Sequence, residues 1–333
     1  MDKELLAAAW IKIGADISTM ADGLEQVVEQ TYQHNNWFTP EEQHFALQHF
    51  SQYFLEPAAI SDWLAQYPDP VEAPRNVGLI LAGNIPYVGM HDIMSTLSSG
   101  HKAIVKLSSK DKFFFPWLRR RLEVHAPAMA ERLVFADQLK TIDAIIATGS
   151  NNTSRYFEYY FGKYPHVFRQ NRTSVAIIDG NEDEETLIRL GEDVFRYFGL
   201  GCRNVGKLFL PKGYHPDLLL QAWKSFESIG NHNKYKNNLD YNLTLLLLNQ
   251  EKVWTSEFLV LAETEKLHAP LATLYYSYYD DKTDWETSIA SHADELQCIV
   301  GNGPNHIAHG QTQLPGLMDY ADHLDTMAWL HQL

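Results

Sequence analysis

Three short turns carry residues suited to covalent chemistry: Gly199-Leu200-Gly201-Cys202-Arg203-Asn204, Gly83-Asn84-Ile85-Pro86 and Thr148-Gly149-Ser150-Asn151. A cysteine reacts as its thiolate. A glycine-bracketed turn beside an arginine offers both the access and the positive field that favour that form. Cys202 also reads as a small packed residue at a helix end, because free cysteine is among the most buried residue types. Asn84 follows an apolar run, and its side-chain amide can donate to a developing oxyanion; asparagine is also a common turn residue. Gly149 and Ser150 precede a helical pattern, where backbone N–H groups suit a cofactor phosphate. The full G-x-G-x-x-G dinucleotide fingerprint is absent.

An alternation of strands and helices must position these turns. Residues 1–70 read as helical, with Leu24, Val27 and Val28 at helical spacing and a start at Thr39-Pro40-Glu41-Glu42, with Thr39 as N-cap and Pro40 at the first helical position. A proline-rich stretch to Pro74 ends that pattern. Short apolar runs at 76–82, 103–107, 132–135, 143–147 and 174–178 then read as strands. Helical stretches at 87–99, 113–125 and 153–161 separate them, the first closed by Gly100. Strands joined by helices of this length pair in parallel, and ligands bind such doubly wound sheets at the carboxyl ends of the strands. A helix over 182–198, capped by Asn181, leads to the Cys202 turn. Residues 206–210 and 242–248 read as strands of a second domain, and 230–238 as an exposed loop.

Composition narrows the classes. A chain of 333 residues is long enough for two domains, and 8 Trp, 17 Tyr and 16 Phe argue against disorder. A net charge of −15 disfavours nucleic acid, since phosphate binding needs a basic surface. Two isolated cysteines, Cys202 and Cys298, make neither a zinc site nor a disulfide framework, and Cys298 reads as core. His306 and His309 have a spacing that suits a metal, but no acidic or thiol ligand sits close by, so no metal site is expected. The N-terminal residues are acidic without a long apolar run, and Leu245 to Leu248 is too short to cross a bilayer. No membrane span and a cytoplasmic location are expected.

The order of these motifs resembles the aldehyde dehydrogenase superfamily, and most closely its acyl-CoA reductase branch, which includes the fatty acid reductase of bacterial luminescence. The matching text is Leu81 to Pro86, Val105 to Asp111, Ala147 to Ser150, Phe198 to Val205, Glu295 to Gly301 and Asp319 to Met327. The resemblance implies an α/β, aldehyde dehydrogenase-like fold: a Rossmann-type doubly wound parallel sheet plus a second α/β catalytic domain. The expected organisation is N-terminal helices over 1–75 packing on a cofactor domain over 76–172, and a catalytic domain over 173–333. The resemblance makes Cys202 the nucleophile and Asn84 the oxyanion donor, together with the Cys202 main-chain N–H. It assigns Lys106, with Ser108, to the adenosine ribose or its 2′-phosphate, and Gly149 and Ser150 to the pyrophosphate. Glu295 is the candidate for the family's ribose-binding glutamate. NADPH is the expected cofactor, with NADH as the alternative, and a homodimer is expected.

One departure bears on the reaction. Oxidising members of the superfamily carry, just before the strand at 174–178, a glutamate that activates water. Here the text is Phe168-Arg169-Gln170-Asn171-Arg172-Thr173, without a carboxylate. Without that base, a thiol or thioester replaces water as the exchange partner, which implies acyl-CoA reduction to an aldehyde. Arg169 and Arg172 read as surface charge or as contacts to a CoA or NADP phosphate. The open alternatives are another activated acyl group, either an acyl phosphate or an acyl carrier protein thioester, and a non-catalytic homologue that binds acyl-CoA or nucleotide.

Overall fold

The computed structural model describes residues 2–149 and 151–333. The chain divides into two compact units, Met1–Asn171 with Pro315–Leu333, and Arg172–Leu314.

The first unit opens with four helices, α1 (Lys3–Ser18), α2 (Leu24–His34), α3 (Pro40–His49) and α4 (Pro57–Ala65). Thr39 caps α3 by accepting from the Glu42 N–H, with Pro40 at the first helical position. There follow β1 (Asn76–Ile80), α5 (Met90–Ser98), β2 (Lys102–Lys106), α6 (Phe114–His125), α7 (Pro127–Ala130), β3 (Leu133–Phe135), β4 (Ala144–Thr148), α8 (Asn151–Phe161) and β5 (His166–Arg169). The five strands form a parallel sheet in the order β3-β2-β1-β4-β5. The chain runs outward from β1 to β2 and β3, then returns to β4 on the other side of β1. That reversal places a topological switch point between β1 and β4, where doubly wound sheets open a ligand crevice. The N-terminal helices are fastened to this sheet by polar contacts as well as packing. Trp10 Nε1 of α1 donates to Ser98 Oγ of α5 at 2.9 Å, and fully buried Trp10, Trp63, Trp117 and Phe114 fill the space between layers.

The second unit contains β6 (Thr173–Ile177), α9 (Glu184–Phe195), β7 (Val205–Pro211), α10 (Asp217–Ala222), α11 (Asn233–Leu248), β8 (Val253–Thr255), β9 (Val260–Glu263), β10 (Thr273–Tyr279), α12 (Lys282–Ser291) and β11 (Leu296–Val300). Its six-stranded sheet has the order β11-β6-β7-β10-β9-β8, parallel except for β8 at the edge. Leu208 and Leu210 of β7 pack with Phe195 and Trp223 in its main core. The chain then returns to the first unit, ending in α13 (Thr326–His331).

Four expectations change. Residues 242–248 are the end of α11, not a strand. Its buried positions Tyr235, Leu239 and Asn242 recur at spacings of four and three, a helical stripe that a window starting at Asn242 misses. Residues 230–238 are correspondingly a 3₁₀ segment and the first turns of that helix, not a loop. The helix before the Cys202 turn is capped by Asp183, which accepts from the Thr186 N–H, and not by Asn181. Residues 315–333 belong with the first unit, whereas the expected catalytic domain ran to 333. Long-range bonds hold them there: His91 Nε2 to Leu317 O at 2.9 Å, His101 Nε2 to Leu330 O at 2.9 Å, and Tyr67 Oη to Asp325 Oδ2 at 2.9 Å.

Candidate active site

In the first unit, the switch point gathers most of the expected site residues at one sheet edge. β1 ends into the turn bearing Gly83 and Asn84, β2 ends at Lys106 with Ser108 just beyond, and β4 ends at Thr148 before Gly149. Ile80 and Lys106 are register partners, and the Leu81 N–H donates to Lys106 O at 3.2 Å, so the two loops leave the sheet side by side. They then touch. A Cβ on Gly83 would collide with Ser108 Oγ and sit 2.7 Å from its Cβ, so only glycine fits that approach. Asn84 and Lys106 are exposed and Ser108 is half-buried. Gly149 has a similar steric reason: a Cβ there would meet Thr153 Oγ1 of α8 at 2.5 Å and Phe157 at 2.9 Å. Ser150 lies outside the described residues.

One carboxyl that the sequence reading left without a role holds this edge together. Asp111 is 1% exposed, and its Oδ2 accepts from the Tyr87 N–H at 2.8 Å. Tyr87 closes the Asn84 turn at a left-handed φ of 59° and stacks on Phe114 at 4.2 Å. The Asp111 N–H donates to Ser108 O at 3.2 Å, so one residue ties the Asn84 turn to the Ser108 loop. Burial pushes the Asp111 carboxyl up to about 7, with the Tyr87 N–H opposing that rise. The signal for it was its place at the end of the Val105 to Asp111 motif.

Arg169 is also not where the sequence suggested. It is neither surface charge nor open to a phosphate: it is buried, and its Nη1 donates to both oxygens of Asp92 in α5 at 2.7 and 2.6 Å, while Nη2 donates to Thr326 Oγ1 at 2.9 Å. A buried guanidinium needs such a partner, and Asp92, 77 positions earlier, is brought to it by the sheet. Arg172, in the second unit, donates to Leu296 O at 2.9 Å.

In the second unit, Cys202 is half-buried in the turn between α9 and β7. It stands off the amino ends of β6 and β7, since Ser174 and Val205 are register partners at the start of those strands. Ser174 Oγ donates to Cys202 O at 2.9 Å, and Asn204 Oδ1 accepts from the Gly201 N–H at 2.8 Å. Arg203 Nη1 reaches Cys298 Sγ at 3.5 Å, and Cys298 itself is buried in β11. Glu295 is exposed and pairs with His268 Nε2 at 2.9 Å. Lys207, three residues beyond Asn204, is 1% exposed, donates to Thr264 O, and is pushed down to about 8 by burial. Ser174 and Asn204 were not singled out for the site, although Asn204 lies inside the Phe198 to Val205 motif.

Among the described residues, no group of three or more His, Cys, Asp or Glu side chains is placed to hold a metal ion, and no helix is long and apolar enough to cross a membrane. An exposed lysine, a hydroxyl and a glycine turn at the switch point fit a dinucleotide, by the chemistry of the donor set.

No protein-family model matches the chain, and no curated protein matches it in sequence. Its fold is that of the aldehyde dehydrogenases. Aldehyde dehydrogenase 21 from Physcomitrella patens, solved with the reaction product succinate, is 12% identical with a TM-score of 0.67, over 92% of this chain and 74% of that one. An aldehyde dehydrogenase from Bacillus cereus in complex with NAD+ is 12% identical with a TM-score of 0.62, over 90% of this chain and 72% of that one. A Mycobacterium tuberculosis aldehyde dehydrogenase complexed with NAD+ is 13% identical with a TM-score of 0.58, over 90% and 72%.

Proposed function

We propose that this chain is a nicotinamide-dependent oxidoreductase that reduces an acyl-CoA thioester to an aldehyde, with the acyl group carried on Cys202. The observation that carries the reading is the Cys202 turn, which leaves the residue half-buried while hydrogen bonds fix the main chain around it. A merely packed cysteine is more often fully buried. The same-fold structures solved with NAD+ support a nicotinamide cofactor.

The Cys202 thiolate attacks the thioester carbon, forming an Sγ–C bond; the oxyanion collapses and CoA leaves as its thiolate. Asn84 and the Cys202 main-chain N–H are the assigned oxyanion donors. Lys106, Ser108, Gly149 and Ser150 are the assigned cofactor residues, and the exposed Lys106 ammonium suits the 2′-phosphate of NADPH. When bound, the reduced nicotinamide supplies the hydride that brings the acyl carbon to the aldehyde level. Collapse of the resulting thiohemiacetal breaks the Sγ–C bond and returns the thiolate. The stretch 168–173 supports reduction over hydrolysis, since it offers no carboxylate to activate water.

NADPH consumption with a panel of acyl-CoAs, for wild type and Cys202→Ala, tests the proposal. Substrate-dependent consumption is expected, falling by roughly 1,000-fold or more in the variant. No consumption with any acyl-CoA overturns the reductase reading, and unchanged turnover in Cys202→Ala removes the nucleophile.

A further inference from the structure

The turn that presents Cys202 opens on backbone that local preference opposes. Tyr197 and Phe198 both take left-handed φ, 54° and 59°, and Gly199 continues at 74°. Bulky L-residues avoid this region because Cβ crowds a backbone oxygen. Such conformations persist only where the surroundings over-determine them, and they cluster at functional sites.

Asn204 brackets this backbone from both sides. Its side chain is 4% exposed and uses both ends of its amide. Oδ1 accepts from the Gly201 N–H at 2.8 Å, one residue before Cys202. Nδ2 donates to the carbonyls of Asp193, Val194 and Arg196 at 3.1, 3.4 and 2.9 Å. The orientation is unambiguous, because a flipped amide would turn its oxygen toward three carbonyls. Those carbonyls lie at the end of α9 and its cap, where the helix breaks at Arg196 with ψ 140°. Asn204 therefore caps α9 from eight to eleven residues downstream and spans the left-handed turn.

Both ends of this strut are themselves anchored. The Asp193 carboxyl accepts from the Gly310 and Thr312 N–H groups at 2.6 and 2.9 Å and from Thr312 Oγ1 at 2.8 Å. Ser174 holds the Cys202 carbonyl from β6. A continuous set of hydrogen bonds thus runs from the 310–312 segment through α9 and Asn204 to the Gly201 N–H, and the Asn204 main-chain N–H donates at 3.1 Å to Gly201 O, the carbonyl of the peptide that carries the Cys202 N–H.

We propose that Asn204 is a positioning residue that fixes the Cys202 main-chain N–H in the orientation an oxyanion requires. The inference rests on the reading of Cys202 as nucleophile, but not on the identity of the acyl donor. Two reactions at Cys202 separate orientation from mere folding. Acylation by p-nitrophenyl acetate forms an Sγ–C bond, expels p-nitrophenolate through an oxyanion and needs no nucleotide. Alkylation by iodoacetamide displaces iodide at the same sulfur without an oxyanion.

In Asn204→Ala, the acylation burst is expected to slow roughly 100-fold while alkylation of Cys202, followed by peptide mass spectrometry, stays within about 3-fold of wild type. Asn204→Ser keeps a polar group in the same space and guards against a variant that does not fold; the same split is expected at roughly 10-fold. Acylation and alkylation falling together in the folded variants overturns the proposal, and so does unchanged acylation. A wild type that is acylated by the ester yet consumes no NADPH with any acyl-CoA removes the reductase reading and leaves the role of Asn204 standing.

Discussion

The two turns that carry the assigned chemistry are held by different kinds of group. In the first unit, the Asn84 turn is pinned by a buried carboxyl, Asp111, and α5 beyond it by the buried Asp92–Arg169 pair. In the second, the groups that touch the Cys202 turn directly are neutral, the Asn204 amide and the Ser174 hydroxyl, and the buried Asp193 carboxyl lies beyond them on α9. The difference has an electrostatic consequence. A negative charge beside a thiol raises its pKa and suppresses the thiolate, whereas an amide gives the same geometry without that field. The Asn84 amide does not ionise, so its turn tolerates a titrating anchor.

The largest expected effect tests whether the charged anchor is structural. Arg169→Met leaves Asp92 buried without its cation and is expected to cost roughly 3–5 kcal/mol in chemical denaturation. A loss below about 1 kcal/mol would mean the pair does not hold the first unit. Next, Asn84→Ala is expected to lower kcat for acyl-CoA reduction roughly 100-fold with nucleotide affinity unchanged, the signature of a group that acts in the transition state. An equal loss in nucleotide affinity would reassign Asn84 to cofactor binding.

The titrating anchor predicts a pH dependence with a definite sign. The folded Asp111 carboxyl is raised from 3.8 to about 7, so the unfolded chain releases its proton first as pH rises. Stability from this group is full below about 3.8 and is lost as pH climbs through about 7. Asp111→Asn keeps an acceptor for the Tyr87 N–H and removes the titration. Its stability relative to wild type is expected to be about 2 kcal/mol more favourable at pH 8 than at pH 5, read by denaturation at both. An equal difference at the two values would show that Asp111 stays ionised in the fold. The smallest effect is the matching control in the second unit. Ser174→Ala is expected to cost about 1 kcal/mol, the same at pH 5 and pH 8, because a hydroxyl to a carbonyl carries no titrating charge.

Much of this architecture was legible before folding. The apolar runs at 76–82, 103–107 and 143–147 hold the strands β1, β2 and β4, and Gly100 follows α5 at a φ of 93°. Thr39 caps α3 as its sequence suggests. Periodicity, caps and turn chemistry act over a few residues, so a linear text records them. The helix over 233–248 departs from its expected strand because its apolar end is not its buried face: Leu245, Leu247 and Leu248 are exposed, and the buried stripe begins at Tyr235. For the candidate site, the motifs pointed to Cys202, Asn84 and the residues of the switch-point edge, but not to what holds them.

The amino-acid sequence alone determined the strand and helix alternation, the glycine turns and the thiol set in one of them, because each is a property of neighbouring residues. Only the tertiary structure decided that Arg169 meets Asp92 rather than a phosphate, and that Asp111 closes on Tyr87. It likewise decided that the last segment returns to the first unit and that one asparagine amide spans the end of α9 to carry Cys202. Those choices depend on which buried polar groups the sheets bring within about 3 Å of one another, and a buried donor, acceptor or charge takes whichever partner the topology supplies.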